Sequence, residues 1–161
     1  MCEACKKDSM THSFDPVSLK VSGAKTIHAF YTSSKTIKDC GNAESICQHI
    51  ESMLGTQLWM WIIDCKYVSS KHMAHVKTWV TVLRRLSDKY GLTLQAIYLI
   101  NAGPIIKTII GAFTPFITKE FTSNIVKLNG SPLELLEGFK GTGWTMPECE
   151  PIIRRIQADY V

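Results

Sequence analysis

Residues 58–65 read Leu-Trp-Met-Trp-Ile-Ile-Asp-Cys, a continuous apolar run of strand length that ends in a carboxylate and a thiol. Both faces of such a strand are apolar, as expected for an inner strand of a sheet that helices cover. Residues 94–100 (LQAIYLI) repeat the pattern. Between the two runs, residues 71–89 carry apolar side chains at helical spacing, and Ser69 and Ser70 are suited to cap that helix. A strand, a helix and a second buried strand predict an α/β fold.

The rest of the chain continues this alternation. Strands are predicted at 26–31 and 125–128, and helices at 43–54, 105–113, 133–137 and 147–160. The expected architecture is a mainly parallel or mixed sheet flanked by helices. Residues 1–24 are interpreted as a polar N-terminal tail, and residues 25–161 as a single domain.

Composition excludes several classes of protein. The 161 residues are 45% hydrophobic and 20% charged, which argues against disorder, and the net charge of +4 is low for a strong nucleic-acid binder. The longest apolar stretch, 91–118, is interrupted by Asn101-Ala102-Gly103-Pro104 and by Pro115, so it predicts no membrane span. We expect a cytoplasmic protein that makes at most peripheral contact with membranes.

The six cysteines are predicted to be reduced, because the chain is long enough to do without disulfides and its N-terminus lacks a signal peptide. Cys2-Glu3-Ala4-Cys5 has the spacing of half a zinc site, but no second CxxC or HxxxH follows at a workable distance. The spacing is interpreted as chance in preference to a metal or redox role. The sequence thus predicts no metal and no cofactor.

Candidate catalytic residues are few. Asp64 ends a buried strand, where α/β enzymes place functional groups, but a carboxylate that caps a nearby N–H is the preferred interpretation. His72 and His75 are interpreted as part of a solvated helix face, and a Cys65–His72 dyad requires contacts that spacing does not establish. We therefore expect a domain without catalytic residues.

Apolar residues are concentrated between positions 105 and 125, beyond what a plain α/β domain requires. They predict a groove for an acyl or isoprenoid chain, in which each buried CH₂ is worth about 0.8 kcal/mol. The alternative is that the same residues fill an ordinary core. The predicted lining is Trp61, Ile63, Tyr98, Ile100, Ile105, Ile106, Ile109, Ile110, Phe113, Phe116, Ile117 and Phe121.

Charge is distributed unevenly, with the basic excess in residues 64–90 and an acidic excess in residues 131–161. A basic surface beside an apolar groove suits an anionic membrane or an acidic protein face, although a solvated helix face is an equal alternative. The residues predicted to make this contact are Lys71, Lys77, Arg84, Arg85, Lys89 and Lys119.

The order of these features resembles the CRAL-TRIO lipid-binding fold of the yeast phosphatidylinositol-transfer family. The matching elements are the strand that ends at Asp64, the long amphipathic helix, Tyr90-Gly91, the strand at 97–102 (IYLINA) and the apolar helix before Pro115-Phe116-Ile117. The segment around Pro115 and Phe116 resembles the helix that forms a gate over the lipid pocket in that family. Leu92 and Asn124 stand where the family has its headgroup-binding Glu and Lys.

A closer resemblance is to the BCH domain, a divergent branch of the same fold. It is carried by residues 112–125 (AFTPFITKEFTSNI), and Asn129, 133–135 (LEL) and 146–148 (MPE) continue it in register. The resemblance covers residues 58–150. It implies a non-catalytic regulatory domain of a Rho GTPase-activating protein that binds a Rho-family small GTPase, with the groove accepting the prenyl tail of the GTPase.

BCH domains also self-associate, so the resemblance implies a homodimer, with exchange of elements between its subunits as one form. The short strand Ile125, Val126, Lys127 and Leu128 is suited to pair with a partner's sheet. The alternative function is a lipid-binding or lipid-transfer domain of the CRAL-TRIO class, with an isoprenoid or other lipid as ligand. No nucleic-acid partner is expected.

Overall fold

A computed structural model describes residues 2–8, 11–38 and 40–161. The helices are α1 (Glu3–Lys7), α2 (Ala43–Leu54), α3 (Ser70–Met73), α4 (Val76–Tyr90), α5 (Pro104–Phe113), α6 (Lys119–Ser123), α7 (Pro132–Gly141) and α8 (Met146–Asp159). A 3₁₀ turn, Thr114–Phe116, follows α5. The strands are β1 (Asp15–Ser22), β2 (Lys25–Ser33), β3 (Leu58–Asp64), β4 (Leu94–Ile100) and β5 (Ile125–Leu128).

The strands form one mixed sheet whose order follows the chain, β1-β2-β3-β4-β5. Strands β2 to β5 are parallel, with Ile27 opposite Leu58 and Ile97 opposite Ile125. β1 pairs antiparallel with β2 and forms one edge, and β5 forms the other. The predicted α/β architecture, a mainly parallel sheet flanked by helices, is confirmed.

Helices cover both faces of the sheet. The face that carries Trp59 and Trp61 packs against α2, α4 and α5, whereas the face that carries Tyr31 and Ile62 packs against α7 and α8. Side chains alternate between the faces along each strand, and the inner strands β3 and β4 are buried on both faces. Because helices cover both faces of β3 and β4, the sequences of these strands at 58–64 and 94–100 are continuous apolar runs.

The N-terminal part of the domain differs from the prediction. Residues 15–22 form strand β1 and are not a tail, because a tight turn at Gly23 (φ +62°) folds them back onto β2. Phe14, just before β1, is buried and stacks on Phe30 with a ring separation of 4.7 Å. The polar composition of β1 reflects its place at the sheet edge. Residues 1, 9 and 10 of the predicted tail lie outside the described residues.

One predicted helix is two helices. The stretch 71–89 is divided into α3 and α4 at His75, whose backbone (φ −110°, ψ 22°) leaves the helical conformation. A capping box between Ser69 and His72 closes the first turn of α3. The break allows α3 to point its only buried side chain, His72, toward the interior.

Within the described residues, no helix combines the length and the apolar content needed to cross a bilayer.

Candidate functional site

An apolar cavity of about 150 Å³ lies between the sheet and its helical cover. Its floor is the sheet face that carries Trp61, Ile63 and Leu99. α4 forms one wall through Val76, Trp79 and Leu83. The cavity is covered by the segment 104–123, which comprises α5, the 3₁₀ turn and α6 and which we call the lid.

Eight of the twelve residues predicted for the groove line this cavity. Two come from β3 and six from the lid, as expected from the helical spacing of the apolar residues in α5. They are Trp61, Ile63, Ile106, Ile109, Ile110, Phe113, Ile117 and Phe121.

The other four predicted groove residues lie elsewhere. Tyr98 and Ile100 face α7 and α8, because they occupy the positions of β4 that alternate with the cavity-facing Ile97 and Leu99. Ile105 lies at the flank of α5, one turn before Ile109, where it is 37% exposed and does not line the cavity. Phe116 is 50% exposed and borders a surface depression next to Arg84 on α4.

The predicted lining did not include the residues that come from the end of β2, from α3 and α4 and from the inner strands. Alternation along β4 places Ile97 and Leu99 on one face and Tyr98 and Ile100 on the other, but it does not show which pair faces the cavity. Val76 and Leu83 lie within the helix predicted at 71–89. The lining residues that lie in loops, such as Ile37 and Val68, belong to no periodic pattern from which they could be predicted. The missed residues are Thr32, Ser34, Ile37, Cys65, Val68, His72, Val76, Trp79, Leu83, Ile97, Leu99 and Ile125.

His72 is the most informative polar group in the lining. Its Nδ1 accepts a hydrogen bond from the Ser69 backbone N–H at 3.0 Å, so the ring proton is on Nε2 when the imidazole is neutral. Burial lowers the pKa of His72, which favours the neutral form. The Nε2 atom is buried and has no hydrogen-bond partner in the described part of the chain. His72 is therefore a buried side chain of the cavity lining whose Nε2–H makes no well-formed hydrogen bond within the described residues, not part of a solvated helix face.

The other polar residues of the lining are already engaged. Thr32 Oγ1 accepts a hydrogen bond from Trp61 Nε1 at 2.8 Å, and Ser34 Oγ accepts one from the Tyr67 backbone N–H at 3.0 Å. Burial raises the pKa of Cys65 to about 12, so its thiol stays protonated at neutral pH. A Cys65 thiolate that His72 activates is not supported by this environment.

Asp64 lies on the opposite face of the sheet from the cavity and has a structural role. It accepts hydrogen bonds from the Lys66 backbone N–H at 3.1 Å, from Tyr31 Oη at 2.9 Å and from Tyr160 Oη at 3.1 Å. Burial raises the pKa of this carboxyl group. The predicted cap of a nearby N–H is confirmed, and the two tyrosines tie β2 and the end of α8 to the same carboxylate.

The predicted basic contact residues divide into two groups. Arg85 bonds Glu51 and Glu44 of α2, at 2.5 and 2.8 Å, and Lys89 bonds Glu51 at 3.1 Å. These two side chains join α4 to α2. The remaining four are exposed, and no ion pair involves them within the described residues: Lys71, Lys77, Arg84 and Lys119.

The predicted dimer strand is β5, and it occupies one edge of the sheet. Ile125, Val126 and Leu128 are half-buried and Lys127 is exposed. Self-association through this edge stays a prediction.

Comparisons with known proteins agree with this geometry. Residues 28–140 match the sequence profile of the family described as CRAL/TRIO domain. Among solved structures, the crystal structure of Sfh5 superposes with a TM-score of 0.56 at 15% sequence identity, over 74% of this chain and 50% of the Sfh5 chain. The chain thus spans half the length of that protein, and the similarity concerns the fold. No curated protein sequence gives a significant match.

Proposed function

Because the chain belongs to the CRAL/TRIO domain family, we propose that it is a lipid-binding domain that encloses one apolar chain in the cavity beneath the lid. The observation that carries the proposal is the cavity itself. A space of this size remains between well-packed layers, and its lining is apolar apart from a few side chains. An apolar cavity of about this volume stays dry and accepts a small hydrocarbon.

The size of the cavity sets the class of ligand. A space for roughly six carbon atoms yields about 5 kcal/mol at about 0.8 kcal/mol per CH₂, which is close to millimolar affinity. Micromolar affinity needs roughly ten buried methylenes. A physiological ligand therefore moves the lid outward, and a single acyl or isoprenoid chain fits better than a two-chain phospholipid.

His72 supplies the polar part of recognition. Its Nε2–H suits a ligand that carries one oxygen acceptor, such as a fatty acid, an isoprenoid alcohol or an ester carbonyl. Among the described residues, no Lys or Arg lines the cavity. Leu92 and Asn124 stand at the positions where the phosphatidylinositol-transfer proteins have their headgroup ligands. Leu92 is 95% exposed, and Asn124 donates a hydrogen bond to the Leu94 carbonyl. Neither of these two positions thus offers a charged side chain to a phosphoinositide headgroup.

The lid is positioned to open toward a membrane. Its surface carries the exposed apolar residues Ile105 and Phe116 together with Lys107 and Lys119. Apolar side chains that insert and cations that meet anionic lipid would place the opening at the bilayer surface during loading. Peripheral contact of a cytoplasmic protein with membranes is part of this proposal.

The test is to fill the cavity. In Ile109→Trp an indole replaces a side chain of the cavity lining, whereas Ile105→Trp makes the same change one helical turn earlier, at a partly exposed residue outside the lining. We expect binding of a fluorescent single-chain fatty acid, offered below its critical micelle concentration, to weaken at least tenfold in Ile109→Trp and to stay within twofold of wild type in Ile105→Trp. Equal affinities in the two folded variants would contradict the proposal.

A second candidate function is binding of a Rho-family small GTPase, which the likeness of residues 112–125 to BCH domains favours. The four unpaired cations Lys71, Lys77, Arg84 and Lys119 would face an acidic partner, and the cavity would take the prenyl tail. The comparisons contain no link to a Rho GTPase-activating protein, so lipid binding has the stronger support. Pull-down with prenylated and unprenylated Rho GTPases separates the two functions, because failure to retain either form excludes the GTPase.

A further inference from the structure

Four side chains with metal-binding atoms meet at the N-terminal end of the fold, away from the cavity lining. Cys2 immediately precedes α1 and Cys5 lies in it, whereas His12 comes from the segment that leads into β1 and His49 from α2. Their sulfur and ring nitrogen atoms all lie within 4.8 Å of one another. Cys5, His12 and His49 are buried and Cys2 is half-buried.

Two of the distances among these atoms fit a tetrahedral ion. His12 Nδ1 lies 3.3 Å from Cys2 Sγ and 3.7 Å from Cys5 Sγ. A zinc ion with bonds of about 2.3 Å to sulfur and about 2.0 Å to nitrogen separates the two ligand atoms by about 3.5 Å when its geometry is tetrahedral. The two observed separations bracket that value.

The histidines are held in the orientation that ligation requires. His49 Nε2 donates to the Phe14 carbonyl oxygen at 3.0 Å, which leaves the lone pair on Nδ1. This Nδ1 is buried and has no hydrogen-bond partner in the part of the chain that the structure describes. In His12 the Nε2 atom lies 3.2 Å from Ser45 Oγ, and the Nδ1 atom contacts the two sulfurs. An outer partner on one ring nitrogen is typical of metal-bound histidine.

We propose that Cys2, Cys5, His12 and His49 bind one Zn²⁺ ion as a structural Cys₂His₂ site. Two thiolates and two imidazoles select zinc over the hard cations Mg²⁺ and Ca²⁺. Four protein ligands leave no open position for substrate, so the ion stabilises the fold and does not act as a catalyst. It joins α1 to α2 and to the start of β1.

The spacing of the four ligands along the chain does not reveal this site, and the sequence alone led us to expect no metal. Cys2 and Cys5 have the separation of zinc ligands, but six residues lie between Cys5 and His12 and 36 lie between His12 and His49. Only the packing of α2 against the segment before β1 brings the second pair of ligands together. The tilted contact between the His12 and His49 rings, with centroids 5.4 Å apart, records that packing.

The test measures metal content in tag-free, reduced protein. After incubation with Zn²⁺ and desalting, we expect about one zinc per chain in wild type and at least a tenfold loss of bound zinc in Cys5→Ser. Cys149→Ser is the matched control, because Cys149 is a buried cysteine of α8 outside the cluster, and it retains wild-type zinc. Zinc raises the melting temperature of wild type and Cys149→Ser but not that of Cys5→Ser.

Two further measurements keep the proposal falsifiable if Cys5→Ser folds poorly. Cys2→Ser changes a half-buried residue at the chain end, and loss of zinc from this folded variant supports the site. Co²⁺ added to the metal-free wild type gives the thiolate-to-cobalt charge-transfer band and the visible bands of a tetrahedral site. Wild type that retains no more zinc than Cys5→Ser and shows no such bands overturns the proposal. A Cys2–Cys5 disulfide formed in the presence of zinc and without added oxidant overturns it as well.

Discussion

At the scale of single residues, the proposed lipid binding gives His72 the role of distinguishing apolar ligands that carry an oxygen acceptor from those that do not. Its Nδ1 is used in the capping box with Ser69, and its Nε2–H makes no well-formed hydrogen bond within the described residues. A buried donor without a partner costs about 1–3 kcal/mol, a penalty that a ligand oxygen relieves. The sequence did not reveal this role, because a histidine beside lysines at helical spacing looks like a solvated face.

We expect His72→Phe to weaken binding of a fatty acid about tenfold while binding of the matching alkane stays within about twofold, because only the oxygen loses its donor. Competition against a fluorescent fatty acid measures both affinities. Ser69→Ala is the control, since it weakens the capping box but leaves the imidazole in place. A His72→Phe variant that loses both ligands equally would show that the ring fills space and does not donate.

At the scale of elements, the sequence predicted most strands and helices but not how they are joined. Apolar periodicity located β3, β4, α2 and α5 within one or two residues, because burial imposes that periodicity. β1 was missed because an edge strand half in solvent needs no apolar run. Tyr98 and Ile100 were assigned to the wrong face because the pattern shows that β4 is buried, but not what covers each of its faces.

Asn101 is the junction that holds the ends of three elements together. It follows β4 in the left-handed region, with φ of 52°. Its side chain accepts from the Gly130 N–H at 2.7 Å and donates to Tyr160 Oη at 2.7 Å and to the Gly130 carbonyl at 3.1 Å. β4, the loop before α7 and the residue after α8 are thereby linked.

We expect Asn101→Ala to lower the free energy of unfolding by about 2–4 kcal/mol, from lost hydrogen bonds together with a Cβ at positive φ. Asn101→Gly loses the same hydrogen bonds without the backbone strain, so it is about 1 kcal/mol less damaging. Urea denaturation compares the two variants. An alanine variant as stable as the glycine variant would show that the backbone at position 101 is not strained.

At the scale of the whole molecule, the two faces of the sheet have different tasks. The face under α7 and α8 is packed around Phe139 and Ile152, and Asp64 joins it to Tyr31 and Tyr160 through hydrogen bonds. The face under the lid retains the cavity, although its lining is as apolar as the core. Composition predicted the apolar excess but left open whether it forms a groove or a filled core. That question depends on how α3, α4 and the lid pack, which no local pattern encodes.

Native mass spectrometry tests whether the cavity holds a single apolar chain. The wild-type protein is first incubated with equimolar amounts of a single-chain fatty acid, an isoprenoid alcohol and a two-chain phosphatidylinositol. We predict a complex with one single-chain molecule per protein chain, absent from Ile109→Trp and retained in Ile105→Trp. A spectrum in which the wild type remains free of single-chain ligand, or in which Ile109→Trp binds it as well as wild type does, would contradict the account.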